Sequence, residues 1–459
     1  MLKNFTSGPR LEGMAKYFSL GIVPALAIVH VVAQIGLYGD GSWFLVAILD
    51  RRDFFMPDST RNYATFITQL PVLISLNAGL WNTHALIFLH SFGLVFMPAL
   101  LWSCALVILR SDLFFWPFVL LLAVVNMNTA FFAIGESNVA YSICVCSKAI
   151  LLRDKKLGLS ETVSLLGLAF IVTRTYEALV FIGPLLGAMT ALRMHESGES
   201  AKIFLLITGL LFVASAVIAG LSILLPADGT SLIAALKTTR TIIFRDRQLL
   251  LTLLISVTYY LIVILRTGHK NVYILCLWVS AVILLLLAWP GNWAEPSQYY
   301  GGRVIAGLFL FAFGVIALIV KLERDPDIKW PLPFSALTSF AKGTQSLERR
   351  KFWFCIPMIL VIELTVIDIY HSFAFRSFAE SFRKEVDSRH GLVALETISI
   401  HEGWTSNYGW LWTYPSMSLL LRSDASKAVV LNSMDHTGWQ PFDPQTSLPD
   451  LHLYYAPAH

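Results

Sequence analysis

Charge is scarce in this chain: Asp, Glu, Lys and Arg make up 14% of its 459 residues, against 56% hydrophobic residues. A soluble globular domain carries about a quarter charged residues, so that class is excluded. No basic stripe interleaved with aromatics occurs outside the loops, which removes nucleic acid as a partner, and the net charge of +4 fits basic loops beside a membrane. Cysteine is sparse too. All five, Cys104, Cys144, Cys146, Cys276 and Cys355, lie in apolar runs, so no disulfide framework is visible and they read as small core residues. No internal repeat or low-complexity segment occurs, and no His/Glu spacing suggests zinc. The sole Asn-x-Ser/Thr sequon is Asn4-Phe5-Thr6, on the side expected to be cytoplasmic.

What is present is a succession of apolar runs. The first, about 17 to 38, is uncharged after Lys16 and exceeds the roughly 20 residues that cross a bilayer core. It is longer than a signal-peptide h-region and no small-x-small cleavage site follows it, so it reads as a span. Lys3, Arg10 and Lys16 precede it and should stay cytoplasmic, which sends Asp40 to the other side. Counting onward, spans are expected near 87–109, 113–132, 141–152, 163–173, 178–192, 203–225, 249–265, 272–289, 304–320 and 352–370. The chain is thus expected to be an all-α polytopic membrane protein of about eleven transmembrane helices. Residues 1–370 would form the membrane domain, with one long external loop at 38–86.

Inside that loop, 43–49 and 63–80, the latter interrupted by Pro71, read as helices lying along the interface. An ordinary extra span over 61–81 is the alternative, but it would put Glu136 and the basic loop Arg153-Asp154-Lys155-Lys156 on the wrong sides. Residues 371–459 change texture and read as a small extracytoplasmic α+β segment. It has an amphipathic helix at 373–386 and short strands at 429–431 and 451–455. Trp404, Trp410, Trp412 and Tyr414 suit membrane anchoring, or stacking on sugar faces.

Several charged residues gather on the external side. Asp40, between Gly39 and Gly41, is an uncrowded carboxylate suited to general-base work, although Gly-Asp-Gly is also common turn chemistry. Glu136, after Gly135, could join Asp40 in holding a divalent cation such as Mg²⁺ or Mn²⁺, or could orient an acceptor. A leaving phosphate needs cations. Arg303, preceded by Tyr299-Tyr300-Gly301-Gly302, is the best placed, followed by Lys237, Arg240, Arg245 and Arg247, whose external position breaks the positive-inside pattern. Arg174 and Glu177 are second-tier candidates, being a routine helix-surface pairing. His84 and His90 read as interface or core histidines. Glu363 and Asp368, within or at the end of the last span, are ionisable groups where they are costly, and they motivate a rival reading as a secondary transporter of a small or lipid-linked solute. A non-catalytic scaffold and other lipid-linked transferases are compatible with the same features.

A first helix, a long external loop opening with an acid, interface helices within it and a second external acid together resemble the GT-C superfamily of membrane glycosyltransferases. The residues carrying the resemblance are Gly39-Asp40-Gly41, Gln69-Leu70-Pro71 and Gly135-Glu136, and it covers the first six or so spans. The resemblance implies transfer of a sugar from a polyprenyl-phosphate carrier to a lipid, glycan or protein acceptor, generally with inversion. The setting would be a bacterial inner (plasma) membrane, with the site facing the periplasm or exterior. Single cysteines placed at positions 40 and 136 should both react with a membrane-impermeant thiol reagent from one face; labelling from opposite faces would overturn this topology.

Overall fold

The computed structural model describes residues 8–127, 135–225, 298–324, 354–399, 408–409, 413–431, 451 and 454. These are mostly helical: twelve α-helices and one two-stranded sheet. Four helical stretches are long and apolar enough to cross a membrane, Leu11–Val32, Thr83–Ile108, Ala201–Leu224 and Pro357–Asp387. Three shorter apolar ones, Phe115–Met127, Leu159–Val172 and Ala306–Leu322, accompany them. The expected spans at 249–265 and 272–289 lie outside the described residues.

Helix α1 (Gly8–Val32) is about 37 Å long at 1.5 Å per residue. It ends where Gln34 turns left-handed at φ 58, and a buried 3₁₀ turn, Ile35–Leu37, leads to α2 (Asp40–Arg51). Helix α3 (Asn62–Asn77) runs through Pro71 without a break, against expectation. Its groove neighbour explains this: Gly93 lacks a side chain, and a Cβ there would lie 2.0 Å from the Thr68 carbonyl oxygen and 3.3 Å from Pro71 Cδ. At 16 residues α3 is about 24 Å long, too short for a bilayer core of about 30 Å. The Tyr63 N–H donates to Arg174 O at 3.0 Å, and beyond the other end the Thr83 hydroxyl donates to Tyr454 O at 2.7 Å.

Helix α4 (Thr83–Ile108) is capped by Asn82, whose side chain accepts from the Ala85 N–H. Helix α5 (Phe115–Leu121) passes into a π-helical turn, Leu122–Met127. Helix α6 (Glu136–Leu152) is buried along nearly its whole length and starts at Glu136, one turn earlier than the expected 141, because Gly135 breaks the chain at φ 139. Helix α7 (Leu159–Val172) precedes a hairpin of α8 (Leu179–Glu196) and α9 (Glu199–Leu224), where a Cβ at Gly183 would meet Phe212 O at 2.4 Å. Small residues let membrane helices approach this closely. Helix α10 (Gln298–Arg324) lies parallel to α6, tied by three side-chain-to-carbonyl bonds: Tyr141 to Arg303 O, Lys148 to Leu310 O, and Lys321 to Leu151 O. Parallel packing puts Glu136 and the start of α10 at the same end.

The two ends differ in charge. At one, Arg110, Arg153, Lys155, Arg193 and Lys321 gather around the 110–114 and 153–158 turns; Arg193 donates to the Arg153 and Lys155 carbonyls at 2.9 and 2.6 Å and pairs with Glu196. The opposite end carries α2, α3 and the C-terminal residues.

Helix α11 (Cys355–Asp387) runs 33 residues, so the boundary expected at 370 falls inside one continuous helix. It leads to β1 (Leu392–Ala394), which pairs in parallel with β2 (Val429–Leu431), Leu392 opposite Val429, while α12 (Tyr414–Leu421) connects them. Strand 429–431 matches expectation; at the expected strand 451–455, Leu451 and Tyr454 instead form a turn, Tyr454 N–H donating to Leu451 O. Tyr414 is neither an interface anchor nor a sugar platform. It is 1% exposed, its ring 5.2 Å from Phe382.

The C-terminal residues share one apolar core with the first loop: Tyr38, Leu45 and Ile48 pack with Phe375, Phe378, Met417 and Val430. Tyr454 closes it, its hydroxyl donating to Leu49 O at 2.9 Å. Replacing Gly93 by alanine should drive α3 off α4 and cost about 1–3 kcal/mol, read as a lower thermal midpoint of the purified protein.

Candidate functional site

Two carboxylates are presented by the same local device. Gly39 at φ 55 and Gly135 at φ 139 each turn the chain into a conformation that disfavours a side chain, and the next residue, Asp40 or Glu136, opens a helix. An acid in the first helical turn also complements the helix dipole. Gly41 is needed for a second reason: a Cβ there would stand 2.0 Å from Gly36 O.

Arg61, at the end of the 3₁₀ turn Ser59–Arg61, joins the acids. Its Nε and Nη2 donate to Glu177 Oε1 at 2.9 and 2.7 Å, and its Nη1 lies 3.8 Å from Glu136 Oε2. Asp58 Oδ2 is 3.3 Å from its Nε, and its guanidinium sits 5.6 Å from the Tyr176 ring centre. Burial opposes its charge, but Glu136 and Glu177 outweigh that and hold its pKa above the ordinary value. Tyr176 also meets Tyr141 edge to face at 5.6 Å, and the Tyr141 hydroxyl donates to Arg303 O at 2.6 Å. One cluster therefore links the turn before α3 to α6, α10 and the 173–178 turn.

Asp40 is half-buried and, among the described residues, makes no hydrogen bond or ion pair. Burial pushes its pKa up to about 6; Arg303 pulls it down, Glu136 raises it further, and Arg61 opposes. Burial also lifts the Tyr176 phenol, with Arg303 opposing and Glu177 adding. Asp40, Glu136 and Arg303, expected on one side from the span count, lie within one another's electrostatic reach.

Other expected residues fall elsewhere. Arg174 is exposed and contributes its carbonyl to Tyr63, so only Glu177 of that pair enters the cluster. Tyr299 lies in the first turn of α10, while Lys237, Arg240, Arg245 and Arg247 are outside the described residues. His90 is buried and His84 exposed. Glu363, half-buried on α11, has both carboxylate oxygens without a hydrogen-bond partner among the described residues, and Asp368 is 3% exposed in a cavity between α1, α4 and α6. Among the described residues no group of three or more His, Cys, Asp or Glu side chains could hold a metal. Any cation at Asp40 and Glu136 would complete its shell with water and ligand oxygens, as Mg²⁺ commonly does.

Arg61 and Tyr176 were not singled out by sequence. Arg61 opens an apolar run and Asp58 precedes it by three residues, a signal for a local pair rather than for a long-range one. Arg61→Gln should leave Glu136 and Glu177 unneutralised and lower stability by about 1.5–3 kcal/mol, with Glu136→Gln in the same background restoring part of the loss in a double-mutant cycle. The roles of these residues rest on their geometry: compared with known families, curated proteins and solved structures, the chain finds no match.

Proposed function

We propose that this protein is a membrane glycosyltransferase that moves a sugar from a polyprenyl-phosphate carrier to an acceptor hydroxyl, with inversion at the anomeric carbon. The observation that carries the reading is a half-buried carboxylate, without a hydrogen bond or ion pair among the described residues, within electrostatic reach of two guanidinium groups at one end of an apolar helical bundle. About eleven spans and an inner-membrane setting belong to the proposal. Its orientation rests on the basic end with Arg110, Arg153, Lys155 and Arg193, which the positive-inside pattern assigns to the cytoplasm. Asp40 then faces outward.

In the reaction the acceptor oxygen bonds to the anomeric carbon as its proton passes to Asp40, and the bond from that carbon to the carrier phosphate oxygen breaks. A base with a pKa of about 6 is ionised at neutral pH yet still takes up a proton. Charge growing on the departing phosphate would be stabilised by Arg303, with Tyr299 at the helix start beside it. Arg61 positions Glu136. Asp40 and Glu136 are the residues that would hold a divalent cation, which would supply further charge stabilisation with water and ligand oxygens completing its shell. The first loop and the C-terminal residues form the layer above, on which a lipid, glycan or protein acceptor would dock.

The rate should fall as pH drops through about 6, and Asp40→Asn should lose about 100-fold or more in transfer from a polyprenyl-phosphate sugar. A raised carboxyl pKa makes ionisation destabilising: its stabilising contribution is full below pH about 4 and is lost as pH rises through 6. Above that pH Asp40→Asn should therefore unfold no earlier than wild type, separating lost chemistry from lost fold. A folded Asp40→Asn that transfers sugar at the wild-type rate would end the base assignment.

A further inference from the structure

The Asp368 cavity lies among α1, α4, α6, the π-helical turn and α11, and the proposed transferase chemistry makes no use of it. Asp368 is 3% exposed, its Oδ2 has no hydrogen-bond partner, and no ion pair to it occurs among the described residues. An ionisable side chain so placed in a membrane bundle marks an ion or substrate position. Around it stand the side-chain amides of Asn126 and Asn138 and the ring of His30.

Backbone oxygen is available as well. Pro98 lines the cavity together with Leu94 and, lacking an N–H, cannot close the helical bond to the Leu94 carbonyl. Asn126 sits in the π-helical turn Leu122–Met127, a departure from α geometry that frequently marks functional positions. One carboxylate, two amide oxygens and a released carbonyl make a hard, oxygen-rich donor set of the kind that broken membrane helices offer to small cations.

Size and charge select the occupant. The cavity of about 30 Å³ accommodates about two water-sized centres at 10–15 Å³ each, which excludes a sugar ring and admits a small ion with one water. A single carboxylate neutralises one positive charge; a divalent ion would be left with an uncompensated charge in an apolar surround. We propose that this cavity binds a sodium ion through Asp368, Asn126, Asn138 and the Leu94 carbonyl, with the His30 imidazole hydrogen-bonded to a water of its shell. The site is independent of the transferase reading, since it uses none of Asp40, Glu136, Arg61 or Arg303.

The test is the thermal midpoint of the purified full-length protein in detergent, titrated with sodium chloride against choline chloride at constant ionic strength. Wild type should gain about 2 °C for each tenfold rise in sodium above its Kd. Asp368→Asn, of the same shape, should lose the sodium response and match or exceed the wild-type midpoint in choline. If that variant fails to fold, Asn126→Ala and Asn138→Ala should each shift the half-saturating sodium concentration at least tenfold upward. A wild-type midpoint equal in sodium and choline, as a carboxyl that keeps its proton would give, overturns the proposal. So does a sodium response undiminished in Asp368→Asn, or in both asparagine variants.

Discussion

Arg61 is the joint on which the end of this molecule that carries Asp40 and Glu136 turns. Its guanidinium satisfies Glu177 with two donors, approaches Glu136 and Asp58, and lies over Tyr176. Those partners come from separate parts of the chain, and one buried and two half-buried carboxylates gathered without a cation would repel one another. Arg61 thus makes the convergence tolerable. Because it precedes α3 directly, the same contact seats this part of the first loop on α6 and the 173–178 turn. The planar fork of an arginine suits this better than a lysine would, since two donors reach one carboxylate while a third points to another.

A second constraint places Arg303. Tyr141 and Lys148 are seven residues apart on α6, and their partners Arg303 and Leu310 are seven apart on α10, so both side chains fall on one face of each helix and grip a parallel neighbour. Lys148 is fully buried, and Gly314 gives it room: a Cβ there would lie 2.7 Å from its Nζ. Burying an ammonium is costly, and its bond to Leu310 O at 2.6 Å offsets only part of that cost. Gly307 makes the matching accommodation for the Tyr141 hydroxyl, also at 2.7 Å. These contacts set the register of α10 against α6, and that register decides that Arg303 stands level with Glu136.

Much of this arrangement was legible, for a definite reason. The expected parity of crossings put Asp40, Glu136 and Arg303 on one side, and among the described residues Glu136 and the start of α10 share an end; glycines written before Asp40 and Glu136 mark where the chain turns sharply into a helix. Parity says nothing of lateral neighbours. Arg61 and Glu177 are 116 residues apart and their contact depends on how α3 leans against α4, which a single glycine, Gly93, determines. The core shared by the first loop and the C-terminal residues was likewise hidden. Leu49 and Tyr454 are 405 positions apart, and each segment alone reads as a short amphipathic piece at the membrane surface. Pro71 misled as a helix breaker because the groove opposite it is backbone only.

That shared core has a consequence for the depth of the site. Helix α11 continues for 33 residues, so its apolar first part packs on the bundle while Phe375, Phe378 and Phe382 pack against the α2 region. The loop bearing Asp40 is thereby clamped between the bundle below and the C-terminal residues above. Packing from both sides leaves Asp40 half-buried, and this burial, more than any single neighbour, raises its proton affinity. The carboxylate stays partly exposed while sitting beside an apolar core. Neither a loop free in water nor a helix sunk in lipid offers that combination, because water would return the carboxyl to its ordinary acidity and lipid would leave its charge without support.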